Sequence, residues 1–96
     1  MSEYYCYILS NKNRTVLYIG FTTDLEARIK IHKSGKGANC TKKYNAFELV
    51  YFETYNESTL ARKREKQLKN WHKEWKWNLV KKSNPNLITL DTISRP

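Results

Sequence analysis

The chain opens on an apolar, aromatic run. Tyr4 to Leu9 carries the aromatic and β-branched side chains that suit a pleated, half-buried surface, and this predicts a strand. Asn11-Lys12-Asn13-Arg14 is turn chemistry, and a second strand follows from about Thr15 to Phe21. The two form a hairpin. A loop of two residues (Lys12, Asn13) or of four, closed symmetrically, sets Tyr7 opposite Tyr18 on one face unless a bulge intervenes.

The period then changes. Thr23-Asp24-Leu25-Glu26 reads as a capping box, with Thr23 as N-cap and Glu26 three residues on. The helix it starts runs to about Lys33, and Ser34-Gly35-Lys36-Gly37 ends it. Leu25, Arg28, Ile29 and His32 fall at i, i+3, i+4 and i+7, one stripe, so this helix is expected to turn two ionisable groups toward the protein body. Ala38 to Ala46 is a polar, basic loop, and Glu48 to Tyr55 alternates as a third strand. Asn56-Glu57-Ser58 caps a second helix over about Thr59–Lys69, with Leu60, Ala61 and Leu68 as its apolar positions. Trp71, Trp75 and Leu79 continue at i, i+4 and i+8 and predict a third helical segment after a break near Asn70, with Trp71 and Trp75 in the core. Pro85 stops it, because proline disfavours helix at the residue before it. The expected organisation is one domain over residues 1–86 and a C-terminal tail over 87–96. The order strand, strand, helix, strand, helix, helix predicts an α+β fold, a three-stranded antiparallel sheet flanked by helices.

Composition narrows the function classes. Ninety-six residues suit one compact domain, and seven Tyr, three Phe and three Trp supply much of its core. Eighteen Lys and Arg against nine Asp and Glu leave a net charge of +9, which favours an anionic partner, nucleic acid before an acidic membrane surface. A basic surface kept for solubility is the alternative. Cys6 and Cys40 lack CxxC partners, and two Cys with two His at these spacings do not make a zinc site or a disulfide framework. The N-terminus is not a signal peptide and no segment has transmembrane length, so a cytoplasmic protein without a membrane partner is expected.

The ordered set of an aromatic first strand, Tyr18-Ile19-Gly20 on the second, and Arg28 and His32 on the next helix resembles the GIY-YIG nuclease superfamily, most closely its small stand-alone bacterial members. The likeness spans about Tyr4 to Asn84. Tyr18-Ile19-Gly20 matches the second half of the motif, whereas Tyr5-Cys6-Tyr7 stands where Gly-Ile-Tyr is usual and keeps only the tyrosine. Arg64 to Lys69 looks like the helix that carries the family's metal-binding glutamate. The resemblance implies that Glu65 holds one divalent cation, Mg2+ or Mn2+, and that Arg28 grips the scissile phosphate with its planar fork. It also implies that one of Tyr7 and Tyr18 is the general base or orients the water, and that His32 orients a tyrosine or relays a proton. A tyrosine of ordinary pKa is a poor base at neutral pH, so a neighbouring cation would have to lower it. The resemblance sets Asn84 beside an asparagine late in many family members.

Each residue also has a plainer reading. Paired tyrosines are usually cross-strand packing, Arg28 can snorkel to solvent, His32 can be a half-buried histidine, and Glu65 can be a salt-bridge partner on a solvated face. Their convergence is what favours a site. Lys33, Lys36, Lys42, Lys43, Lys66 and Lys69 are the expected phosphate contacts, without sequence readout. Trp77, off the tryptophan stripe, is the candidate for base stacking. The expected activity is metal-dependent endonucleolytic hydrolysis of DNA (branched, damaged or single-stranded) in repair or recombination, DNA being favoured over RNA. The alternatives are a non-catalytic nucleic-acid-binding module of the same fold and a small adaptor for an acidic protein.

Overall fold

A computed structural model describes residues 3–33, 46 and 48–90. The basic loop with Lys36, Lys42 and Lys43 lies outside the described residues. Three strands, β1 (Tyr4–Ser10), β2 (Leu17–Thr22) and β3 (Glu48–Tyr55), form one antiparallel sheet in the order β2-β1-β3. Three helices accompany it: α1 (Leu25–Lys33), α2 (Ser58–Lys69) and α3 (Lys73–Ser83). This is the α+β architecture that the periodicity predicts.

Alternation along β1 divides the core between the two faces of the sheet. Cys6 and Ile8 join Ile19 and Val50 under Leu68 of α2 and Val80 of α3. Tyr7 and Leu9 join Leu49 under Leu25 and Ile29 of α1. The central strand is therefore buried on both sides, which is why it reads as an uninterrupted apolar run. Each fully buried aliphatic side chain contributes about 1.5–3 kcal/mol.

The hairpin register differs from the expected one by two residues. Tyr7 pairs with Gly20, and Tyr18 pairs with Leu9. The reason is the loop, which runs over residues 11–16 and is organised by two side chains. The Asn11 side-chain Oδ1 accepts the backbone N–H groups of Thr15 and Val16 at 2.8 and 3.0 Å, and the Ser10 hydroxyl donates to the Val16 carbonyl at 2.7 Å. These bonds replace the ladder that a tight turn would have continued. Arg14 adopts a left-handed backbone (φ 57°). Its guanidinium donates to the carbonyls of Asn11 and Leu87, to Glu48 Oε1 at 2.7 Å and to the Thr89 hydroxyl, tying the loop to the start of β3. A shift of two residues preserves the faces, whereas a shift of one would have exchanged them.

Between Ile8 and Leu9 the pairing with β3 slips, so that Ile8 faces Tyr51 and Leu9 faces Leu49. β3 is also an edge of the sheet, so backbone groups on its outer side lie outside the ladder. The chain after α3 satisfies two of them. Asn84, 5% exposed, donates its amide to the Val50 carbonyl at 3.1 Å and to the Ile88 carbonyl at 2.8 Å. The Leu90 amide donates to the Leu49 carbonyl at 2.7 Å. Residues 87–90, the start of the expected tail, thus lie along the domain, with Leu87 and Leu90 packed against the two core clusters.

Three helical expectations are corrected. The cap of α1 is Asp24, whose carboxylate accepts the Ala27 amide at 3.1 Å, while Thr22, not Thr23, receives the Asp24 amide. On α2, Ala61 and Leu68 are buried but Leu60 is 45% exposed. Trp75 is 53% exposed and Trp77 half-buried, the reverse of the expected assignment. Trp71 lies within the break over residues 70–72, so the angular phase counted from it does not carry to Trp75 in α3, whose buried positions are Val80 and the following Asn84, with Leu79 packed on the same cluster.

Candidate active site around Tyr7

Tyr7 is 1% exposed on the central strand. Its ring lies across β2 directly over Gly20: a Cβ built at Gly20 would stand 2.4 Å from both Cζ and Oη of Tyr7. Only glycine opposite Tyr7 lets the phenol take that course, which gives the Tyr-Ile-Gly sequence of β2 a steric meaning. Tyr18 sits one pair along on the same face, diagonal to Tyr7, with ring centroids 6.5 Å apart and planes inclined by 44°. The expected cross-strand partners are thus diagonal neighbours, still in contact.

Two charges act on this phenol from different helices. Arg28 of α1 favours its ionised form, and Glu65 of α2 opposes it. Burial dominates, however, and with Tyr18 and Glu65 it holds the Tyr7 hydroxyl well above the usual tyrosine range, so the phenol is protonated at neutral pH.

Arg28 does not occupy the inward stripe. Leu25 and Ile29 are buried, whereas Arg28 is exposed beside them, because i+3 falls on the flank of a stripe set by i and i+4 and a long cationic side chain keeps its head in water. His32 and Lys33 lie in the last turn of α1, and their side chains are outside the described residues.

Glu65 is set by the helix that carries it. Its neighbour Arg64 reaches β3, where Nε and Nη2 donate to the two carboxylate oxygens of Glu53 at 2.9 and 3.1 Å. Tyr51 and Tyr55 also donate to Glu53, at 2.5 and 2.6 Å. Burial disfavours the Glu53 charge, but this ring of donors outweighs it and holds the carboxyl below the usual range. The clamp fixes the rotation of α2 and leaves Glu65 on the side facing β1, where its charge reaches both Cys6 and Tyr7. The Cys6 thiol, buried there, is pushed up to about 12, chiefly by desolvation with Glu53 and Glu65 adding to it. Glu65 keeps 21% of its side chain exposed, and Lys69 approaches its Oε2 at 3.0 Å. Lys66 is exposed on the same helix.

Of the five residues singled out as catalytic, Tyr18 packs against Tyr7, and the charges of Arg28 and Glu65 act on its phenol. The Glu53–Arg64 clamp was not anticipated. Its signal was an acidic residue at an inward position of an aromatic strand, Tyr51-Glu53-Tyr55. Among the described residues no three His, Cys, Asp or Glu side chains cluster as a metal-binding group. A magnesium site does not require one, since that ion keeps most of its waters and takes one or two carboxylates with substrate phosphates. Glu65, partly exposed and already paired with an ammonium, fits that role.

Comparison with known proteins decides the kinship. The family described as the GIY-YIG catalytic domain matches residues 3–78. The chain belongs to the GIY-YIG family. Relatives of this GIY-YIG domain include a UPF0213 protein of Staphylococcus haemolyticus, 38% identical over 83% of this chain and 96% of that one. Another, from Clostridium perfringens, is 40% identical over 79% and 81% of the two chains. The UPF0213 protein of Bacillus halodurans, solved by solution NMR, is similar over 98% of this chain and 99% of that one, with 32% identity and a TM-score of 0.58. No described helix of the GIY-YIG domain is long and apolar enough to cross a membrane.

Proposed function

We propose that this GIY-YIG domain is a metal-assisted endonuclease that hydrolyses phosphodiester bonds in DNA, with branched, damaged or single-stranded forms as substrates in repair or recombination. The observation that carries the reading is the placement of Tyr7. A phenol held protonated by burial feels the charge of a cation on one helix and of a carboxylate on another, and packing alone calls for neither charge.

The roles follow from the chemistry of each group. Arg28, exposed beside the buried stripe of α1, is free to grip non-bridging phosphate oxygens with its fork. Tyr7 holds its proton at neutral pH, so its hydroxyl donates to a phosphate oxygen or orients the attacking water. It becomes a base only where bound cationic charge offsets its burial. Tyr18 packs against Tyr7 and fixes the ring that carries that hydroxyl. Glu65 would hold the divalent ion, which would supply charge neutralisation at the phosphate and a more acidic water. Lys69, released from Glu65, would turn to the nucleic-acid backbone with Lys66. His32, one turn beyond Arg28, is assigned proton relay, and Lys33, Lys36, Lys42 and Lys43 backbone contacts. A domain of this charge and size recognises its substrate by electrostatics and shape.

The test is cleavage of supercoiled plasmid, single strands, branched oligonucleotides and a short RNA with Mg2+ or Mn2+. Glu65→Gln should abolish cutting while binding persists, and Arg28→Ala should slow it by about 10²–10³-fold. Equal cutting by the wild type and Glu65→Gln would refute the site. Salt-sensitive binding without any cleavage would make the protein a binding module that retains the fold.

A further inference from the structure

Trp71, Trp75, Asn78, Leu79 and Lys82 line an open groove of about 300 Å³ along α3. Trp75 is the most exposed of its aromatic residues, at 53%. Two rings hold it by their edges or faces: Trp71 at 5.9 Å between centroids and His72 at 5.3 Å, both inclined by 83°. Neither lies parallel to Trp75, so among the described residues no ring is stacked flat upon the indole. At the inner end, Trp71 packs on the core and receives the Arg64 guanidinium at 5.1 Å. Arg64 immediately precedes Glu65, so the groove adjoins the helix that bears the candidate metal carboxylate.

Charge selects the occupant. α3 carries Lys73, Lys76, Lys81 and Lys82 against a single acid, Glu74. A second copy of a chain with net charge +9 would bring like charges together. An acidic peptide would answer the lysines and leave the oriented indole unused. An unpaired nucleotide uses every feature: the base has a π-face for Trp75, its edge meets the amide of Asn78, and its phosphate meets Lys82. Bases inside a duplex are already stacked and cannot enter.

We propose that this groove is a stacking site for an unpaired nucleobase of the protein's nucleic-acid partner, with Trp75 as the platform. The proposal rests on the reading of a nucleic-acid partner and is independent of cleavage.

The experiment is equilibrium binding, by fluorescence anisotropy without divalent metal, of a labelled single strand, the same strand with its central bases removed, and a duplex. Trp75→Ala should weaken binding of the intact strand by roughly 5- to 100-fold and leave the abasic strand and the duplex unchanged. Trp75→Phe should restore most of the loss, since phenylalanine keeps a π-face. Lys82→Gln should lower the salt dependence of binding by about one unit, whereas Trp75→Ala should not alter it. Intact-strand affinity unchanged in Trp75→Ala would overturn the proposal. So would equal weakening toward the abasic strand, or dissociation of a wild-type dimer by Trp75→Ala in analytical ultracentrifugation. A wild type that binds neither strand nor duplex would instead refute the nucleic-acid reading itself, and this site with it.

Discussion

Gly20→Ala isolates the contact on which the arrangement around Tyr7 depends. The added Cβ would stand 2.4 Å from Cζ and Oη of Tyr7 and 2.9 Å from Cε1. Comfortable carbon contacts are about 3.5–4 Å, so the phenol must retreat by about 1 Å. It has little room to do so, being 1% exposed with Leu9, Leu49 and Ile29 packed around it. Overpacking of this kind costs about 1–3 kcal/mol. Replacing glycine also restricts the unfolded chain, which offsets about 0.4–1 kcal/mol. The net expectation is a loss of about 1–2 kcal/mol, with Tm falling about 4–8 °C per kcal/mol in a domain of this size. Urea and thermal unfolding followed by tryptophan fluorescence would measure it. The decisive control is a Tyr7→Leu background, where no ring reaches across β2. There Gly20→Ala should be neutral or stabilising, a reversal of sign. The same loss in both backgrounds would refute the steric account, as would wild-type stability for the single variant. If Tyr7 works as proposed, cleavage by Gly20→Ala should fall about 10²-fold even when corrected for the unfolded fraction, because a displacement near 1 Å is enough to spoil a reacting geometry.

Two further predictions concern the supports of the site. The Glu53 carboxyl is held below its usual value, so its stabilising contribution is fully present above the unfolded-state value of about 4.3 and is lost as pH falls through the lower folded one. Glu53→Gln should therefore cost about 1–3 kcal/mol at pH 7 by leaving Arg64 without its anion, and urea midpoints of the two proteins should converge as pH falls below the usual carboxylate range. Asn84 donates to two carbonyls and accepts one amide at the end of α3, so Asn84→Asp should destabilise by at least about 1–3 kcal/mol, read by thermal unfolding. Cleavage per folded molecule should be unaffected, and a selective loss of activity would show that Asn84 does more than hold the end of α3 to β3.

The sequence by itself determined the elements and their kind. Aromatic and β-branched runs of seven or eight residues can bury a strand, and buried positions at three- and four-residue intervals make a helix, wherever the rest of the chain lies. It also determined that Tyr7 and Tyr18 share a face, because strand alternation survives an even shift in register, and that the late Pro85 ends α3. Tertiary structure decided what depends on partners far along the chain. The register moved by two residues because Asn11 and Ser10 organised a longer loop that Arg14 anchored to Glu48, Leu87 and Thr89. Helix phase was reset by the break over residues 70–72, which left Trp75 exposed and Trp77 half-buried. Arg28 moved to the flank of α1 because a charged head finds water more favourable than a core already filled by Leu25 and Ile29. The path of the Tyr7 ring over Gly20, and the Glu53–Arg64 clamp between β3 and α2, are contacts between separate segments. Periodicity reports which face a residue occupies, but only packing decides which residues from different faces meet.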